Sequence, residues 1–129
     1  MRRRGREEQG ASAVEFALVL PLQLVVALAL VQVGLLVRDR LLVEAAARAG
    51  ARTAAVEADQ AAIADAVARS APDLDAGALT VAVSRAGAQG DPVSVTVGYT
   101  SAIRVPFIGW LITHGVGMES TATDRQEFG

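Results

Sequence analysis

A chain of 129 residues allows one domain, and with 52% hydrophobic but only 4% aromatic residues its apolar mass is mainly Ala, Val and Leu, which suits helix packing better than a large aromatic core. Cysteine is absent, which excludes disulfides, thiolate metal sites and cysteine nucleophiles. The net charge of −2 is unevenly placed: residues 1–10 hold four Arg against two Glu, while the remainder is acidic and lacks the clustered cations that nucleic-acid binding requires.

In chain order, an arginine-rich leader, residues 1–10, ends at Gly10, and Glu15 stands directly before an uncharged run, residues 16–37. At about 1.5 Å per residue that run spans roughly 33 Å, close to the ~30 Å hydrocarbon core of a bilayer. One transmembrane helix, residues 11–37, is expected. Arg2, Arg3, Arg4 and Arg6 ahead of it place the N-terminus in the cytoplasm and the body outside, a signal weakened by Arg38 and Arg40. Pro21 cannot donate to the carbonyl of Ala17, so a local kink is expected. It is either the ordinary tolerance of membrane helices for Pro or a bend that adjusts packing against neighbours.

The helix is expected to continue outside the membrane over residues 38–57, which lack Pro and are rich in Ala, Leu and Arg. Arg40, Glu44, Arg48 and Arg52 form a charged stripe, and Leu42, Ala45, Ala49, Thr53 and Val56 a second face. Ala46, Gly50 and Ala54 make a ridge of small residues, fit for close approach by the protein's own sheet or by another helix.

Residues 58–129 form the head. Asp59 is a suitable N-cap for a short helix over 59–71 that Pro72 stops. Leu79, Val81 and Val83, then Val93, Val95, Val97 and Tyr99, alternate with small or polar residues and predict two strands joined by a hairpin loop, residues 85–92. A weaker alternation over 115–124 predicts a third antiparallel strand, needed because an isolated hairpin is marginal. The fold class is α+β, a long N-terminal helix packed on a small antiparallel sheet of about three strands. Between the second and third strands the apolar stretch PFIGWLI, residues 106–112, reads as a short helix or a loop. Its Phe107, Ile108, Trp110, Leu111 and Ile112 are a candidate partner or membrane-interface surface, or else close the core of the sheet.

No catalytic constellation is visible and no cofactor or small-molecule substrate is implied. His114 has no second His or Cys with which to hold a transition metal, and the serines lie in no nucleophile motif. The glycines of GAQG lack the context of a phosphate loop, and the aspartates follow no calcium-loop pattern. An enzyme is not expected.

The N-terminal residues are different. Gly10, the run Ala11, Ser12, Ala13, Val14, then Glu15 and Phe16 resemble the processing site of type IV pilin-like precursors, which a membrane-embedded prepilin-type peptidase cuts after the glycine. The resemblance implies a cut between Gly10 and Ala11. Glu15 then becomes the fifth residue of the mature chain, where such a carboxylate pairs with the α-amino group of a neighbouring subunit, offsetting the cost of burying either charge alone. Without a partner it is a carboxylate at the membrane surface, modestly favoured by the helix dipole.

SAVEFALVLPL, residues 12–22, then Gly34 and AAARAGARTAA, residues 45–55, resemble the TadE-like family, pseudopilin-like proteins of bacterial tight-adherence (Flp-type) pilus assembly. Two positions depart from the family pattern: Ala49 stands where a Glu is usual and Val33 where an aromatic often precedes the glycine. The resemblance implies a single-pass protein of the cytoplasmic membrane with an exported head. It would assist assembly, initiation or anchoring of the pilus through contacts with other pilins or pseudopilins and with the assembly platform. Two alternatives are a secreted binding domain, released by signal peptidase at Ala27-Leu28-Ala29, and a generic single-pass interaction protein.

Overall fold

The computed structural model describes residues 4–107 and 114–128. Helix α1, Arg4–Val56, is 53 residues long and runs unbroken through Pro21. It starts within the expected leader, whose Arg, Glu and Gln are good helix formers.

The environment of α1 changes along its length. Residues 9–27 are all exposed, whereas further on Val43, Ala46, Ala47, Ala51, Ala54 and Ala55 are buried at 4% exposure or less. These positions recur at steps of three and four, so they share one face, and their small side chains let other elements come close. The other face read from the sequence lies at the margin of this contact, with Leu42, Ala49 and Thr53 half-buried and Ala45 and Val56 exposed.

Helix α2, Gln60–Ser70, starts where the Asp59 carboxylate accepts a hydrogen bond from the Ala61 N–H at 3.0 Å, and it buries Ile63 and Val67, one turn apart. After a single 3-10 turn, Ala76–Ala78, come β1 (Leu79–Arg85), β2 (Pro92–Ser101) and β3 (Val116–Arg125). They form an antiparallel sheet in the order β1-β2-β3. The architecture is α+β, as the sequence predicts.

Strand β2 is central, and its inward residues Val93, Val95, Val97 and Tyr99 are all buried, which accounts for its strong alternation. The flanking strands bury their inward residues only in part. The outer face is closed by hydroxyl pairs: Ser94 with Thr123 and Thr96 with Thr121, each at 2.8 Å. Helix α1 lies across β2 and β3, with α2 beside it against α1 and β1.

The small-residue ridge of α1 therefore faces the protein's own sheet and α2. A Cβ added at Gly50 would stand 2.8 Å from Val67 Cγ2 and 2.9 Å from Val95 Cγ1, so glycine is what lets α1 seat on both elements at once. The C-terminal end of α1 leaves carbonyls without partners inside the helix. The Arg85 guanidinium donates to the carbonyls of Ala54 (2.7 Å) and Glu57 (2.8 Å), and the Glu127 N–H donates to that of Ala55 at 2.8 Å. The end of the long helix is thus fastened to both the sheet and the C-terminal tail.

Candidate functional site

Two features of α1 bear on function: its exposed N-terminal part and the place where that part meets the head. Gly10 and Ala11 lie inside the helix and are exposed, and a Cβ at Gly10 would meet nothing within 4 Å. Glycine costs about 1 kcal/mol relative to alanine in a helix interior, so the helix is locally weak at Gly10.

Glu15 is exposed on α1, and its neighbours Val14 and Phe16 are 61% and 63% exposed. Leu18, Leu20, Leu22, Leu24 and Leu30 are likewise more than half exposed. An apolar surface of this extent in water would be an aggregation hazard, and it calls for lipid or other helices around it. Among the described residues, one helix is long and apolar enough to cross a membrane, the segment Gln9–Val56 of α1.

Where the exposed part ends, the helix carries two buried polar residues, Gln32 and Asp39. Gln32 is 5% exposed, and its Oε1 accepts from the backbone N–H groups of Arg104 (3.1 Å) and Val105 (3.2 Å). Two turns on, Asp39 is 1% exposed, and the hydroxyl of Ser101, itself 1% exposed, donates to its Oδ2 at 2.5 Å. Ser101 continues the inward row of β2 beyond Tyr99. Asp39 Oδ1 and Gln32 Nε2 are buried without hydrogen-bond partners among the described residues. Their neighbour Arg38 faces outward and pairs with Asp73.

A signal for these residues was present. Stepping back from Ala54 through Gly50, Ala46 and Val43 in threes and fours leads to Asp39 and then to Gln32, so both stand on the buried stripe. In sequence Gln32 is a polar residue within the apolar run, and Asp39 stands between Arg38 and Arg40 in the expected helix extension.

Phe107 is 73% exposed and has φ 68°, an uncommon conformation for a bulky side chain, so it does not close the core. Trp110 and Leu111, with Ile108 and Ile112, lie outside the described residues. His114 is exposed, and among the described residues no group of three or more His, Cys, Asp or Glu is placed to hold a metal ion.

No curated protein and no solved structure matches the chain. The family model described as TadE-like protein matches residues 10–52, which run from the glycine of the expected cut, through the exposed helix and the polar junction, into the stripe that packs on the sheet. Through this segment of α1 the chain is similar to the TadE-like family.

Proposed function

We propose that this protein is a membrane-anchored, pseudopilin-like component of a tight-adherence pilus system. It works by helix packing and head contacts in the assembly, initiation or anchoring of the filament. The observation that supports this best is the coincidence of the TadE-like segment with a helix whose first part is exposed, apolar and interrupted by a single carboxylate, Glu15. In this reading α1 crosses the cytoplasmic membrane once with its arginine-rich end in the cytoplasm. A prepilin-type peptidase cuts between Gly10 and Ala11. Glu15 then meets the α-amino group of a neighbouring pilin or pseudopilin, and the head meets partner subunits or the assembly platform. Glu15 stands at the start of the span, not at its centre, so its burial among neighbouring helices would carry a cost that a partner cation offsets.

The test is a strain carrying Glu15→Leu at the native locus. Leucine inserts at least as well as glutamate, so the protein should remain in the membrane at normal level while piliation falls by an order of magnitude or more. Normal piliation with Glu15→Leu would remove the pairing role. The packed part of the chain begins near Leu28, where side chains first become half-buried. This boundary favours one second reading, release of the head by signal peptidase after Ala29, which predicts a soluble product that starts at Leu30.

A further inference from the structure

Gln32 lies five residues inside the end of the apolar run, or about 7.5 Å along the helix axis from Val37. At that level it holds the backbone N–H groups of Arg104 and Val105 on its Oε1. The connection leaving β2 is therefore tied down beside the membrane-length part of α1. Non-helical backbone at this depth is tolerated only if its polar groups find partners in the protein, and Gln32 supplies one acceptor for two donors. Gly115, before β3, lies close against the end of β2, since a Cβ there would stand 2.7 Å from the Ser101 carbonyl oxygen.

The residues presented there have the character of a membrane interface. Arg104 is exposed and, among the described residues, forms no ion pair. Phe107 is 73% exposed, among the described residues, in a left-handed conformation. A strained, solvent-facing aromatic beside an unpaired cation has no account in the stability of the head itself. Sparsely populated backbone conformations of this kind mark sites where something else is gained.

We infer that residues 104–107 form a foot that seats the head on the lipid surface. Arg104 meets phosphate oxygens of anionic headgroups, and Phe107 enters the boundary between headgroups and acyl chains, a depth of about 5–10 Å that interfacial apolar groups commonly reach. The foot stands on the leaflet at the head's side of α1. Aromatic rings and the long stem of Arg both suit this layer, each with one apolar and one polar part. The occupant is the bilayer because the foot is continuous with the exposed apolar helix that the bilayer would surround. By fixing the head against the membrane at a second point beside α1, the foot sets which face of the sheet is presented to partners. This inference rests on the reading that α1 spans a membrane, and the test separates the two.

The chain has no cysteine, so single nitroxide labels can be placed on the full-length protein in vesicles of phosphatidylcholine and phosphatidylglycerol in equal parts. Phe107→Cys reports the foot, Ala86→Cys the exposed β1–β2 loop, and Leu24→Cys the exposed apolar helix. The label at 107 should collide with oxygen more than with a water-soluble nickel chelate, the label at 86 should show the reverse, and the label at 24 should be the most oxygen-accessible. A label at 107 that is as open to nickel as that at 86, or shielded from both reagents, while 24 reports lipid, overturns the foot and leaves the spanning helix standing. A label at 24 open to nickel overturns the spanning helix and the foot with it. In Gln32→Leu the label at 107 should shift toward nickel access, and an unchanged reading overturns the assignment of Gln32 as the tether.

Discussion

Gly50→Val is expected to open the head, lowering its stability by about 3 kcal/mol, at the upper end of the range for overpacked cores. The first added carbon already stands 2.8 Å from Val67 Cγ2 and 2.9 Å from Val95 Cγ1. Both valines are buried, at 1% and 0% exposure, and as β-branched residues they have little freedom to turn aside. Relief requires α1 to lift from α2 or from β2, which uncovers the stripe from Val43 to Ala55. Gly50→Ala should cost less, about 1 kcal/mol, because alanine's better helix propensity offsets part of the clash. Gly34→Ala serves as the control, with nothing within 4 Å of the added carbon, and should be neutral or slightly stabilising. Amide hydrogen exchange of β2 in the full-length protein in detergent reads these effects directly. A loss of about 3 kcal/mol speeds exchange by roughly a hundredfold where opening is global. Unchanged protection in Gly50→Val would show that α1 does not seat on Val67 and Val95 as described.

The second large effect concerns Asp39. The only hydrogen bond to its side chain among the described residues comes from Ser101, and both side chains are about 1% exposed. Ser101→Ala leaves a buried carboxylate without that donor, and hydrogen bonds to charged groups contribute about 1.5–3 kcal/mol, with a further desolvation cost when the partner is stranded. A loss of about 3 kcal/mol is therefore expected from removing one oxygen atom. The double variant Asp39→Leu with Ser101→Ala removes both polar partners and should recover most of that loss, to within about 1 kcal/mol of the native protein. Strong non-additivity is the signature to look for. If the double variant is as unstable as Ser101→Ala alone, the loss does not come from a stranded carboxylate.

These residues also mark how far the sequence could be read. The strands were legible because Val93, Val95, Val97 and Tyr99 alternate on a central strand, where burial on one face is complete. The cap of α2 was legible because Asp59 acts on an amide two residues away. Such signals are local. The small-residue ridge was legible as a close-packing surface, but its occupant was not, since the contacts of Gly50 with Val67 and Val95 depend on how the sheet folds back on the helix. The junction was hardest to read. Gln32 meets Arg104 and Val105, and Asp39 meets Ser101, only after the chain has passed through α2 and two strands, and no local period records such a pairing. Composition marks Gln32 only as a polar residue in an apolar run, whereas its place on the buried stripe is what matters. At the other end of α1, Arg85 sat at the edge of a predicted loop, and its service to the last carbonyls of the helix likewise needed the third dimension.

The N-terminal site had the opposite character. Gly10, Ala11, Glu15 and Phe16 are legible as a linear pattern because the peptidase that would read them reads sequence, and the fold adds only that they lie exposed on a helix beyond the reach of the head. In the function proposed above their chemistry belongs to the assembled state, in which a neighbour would supply the cation for Glu15.

The central claim, a pseudopilin-like precursor matured at Gly10, is tested most directly by the intact mass of the protein isolated from native membranes of a strain with active prepilin-type peptidase. A membrane-bound chain that starts at Ala11 is the predicted result. A chain that still starts at Met1 would contradict it, and a soluble chain that starts at Leu30 would replace it with release by signal peptidase.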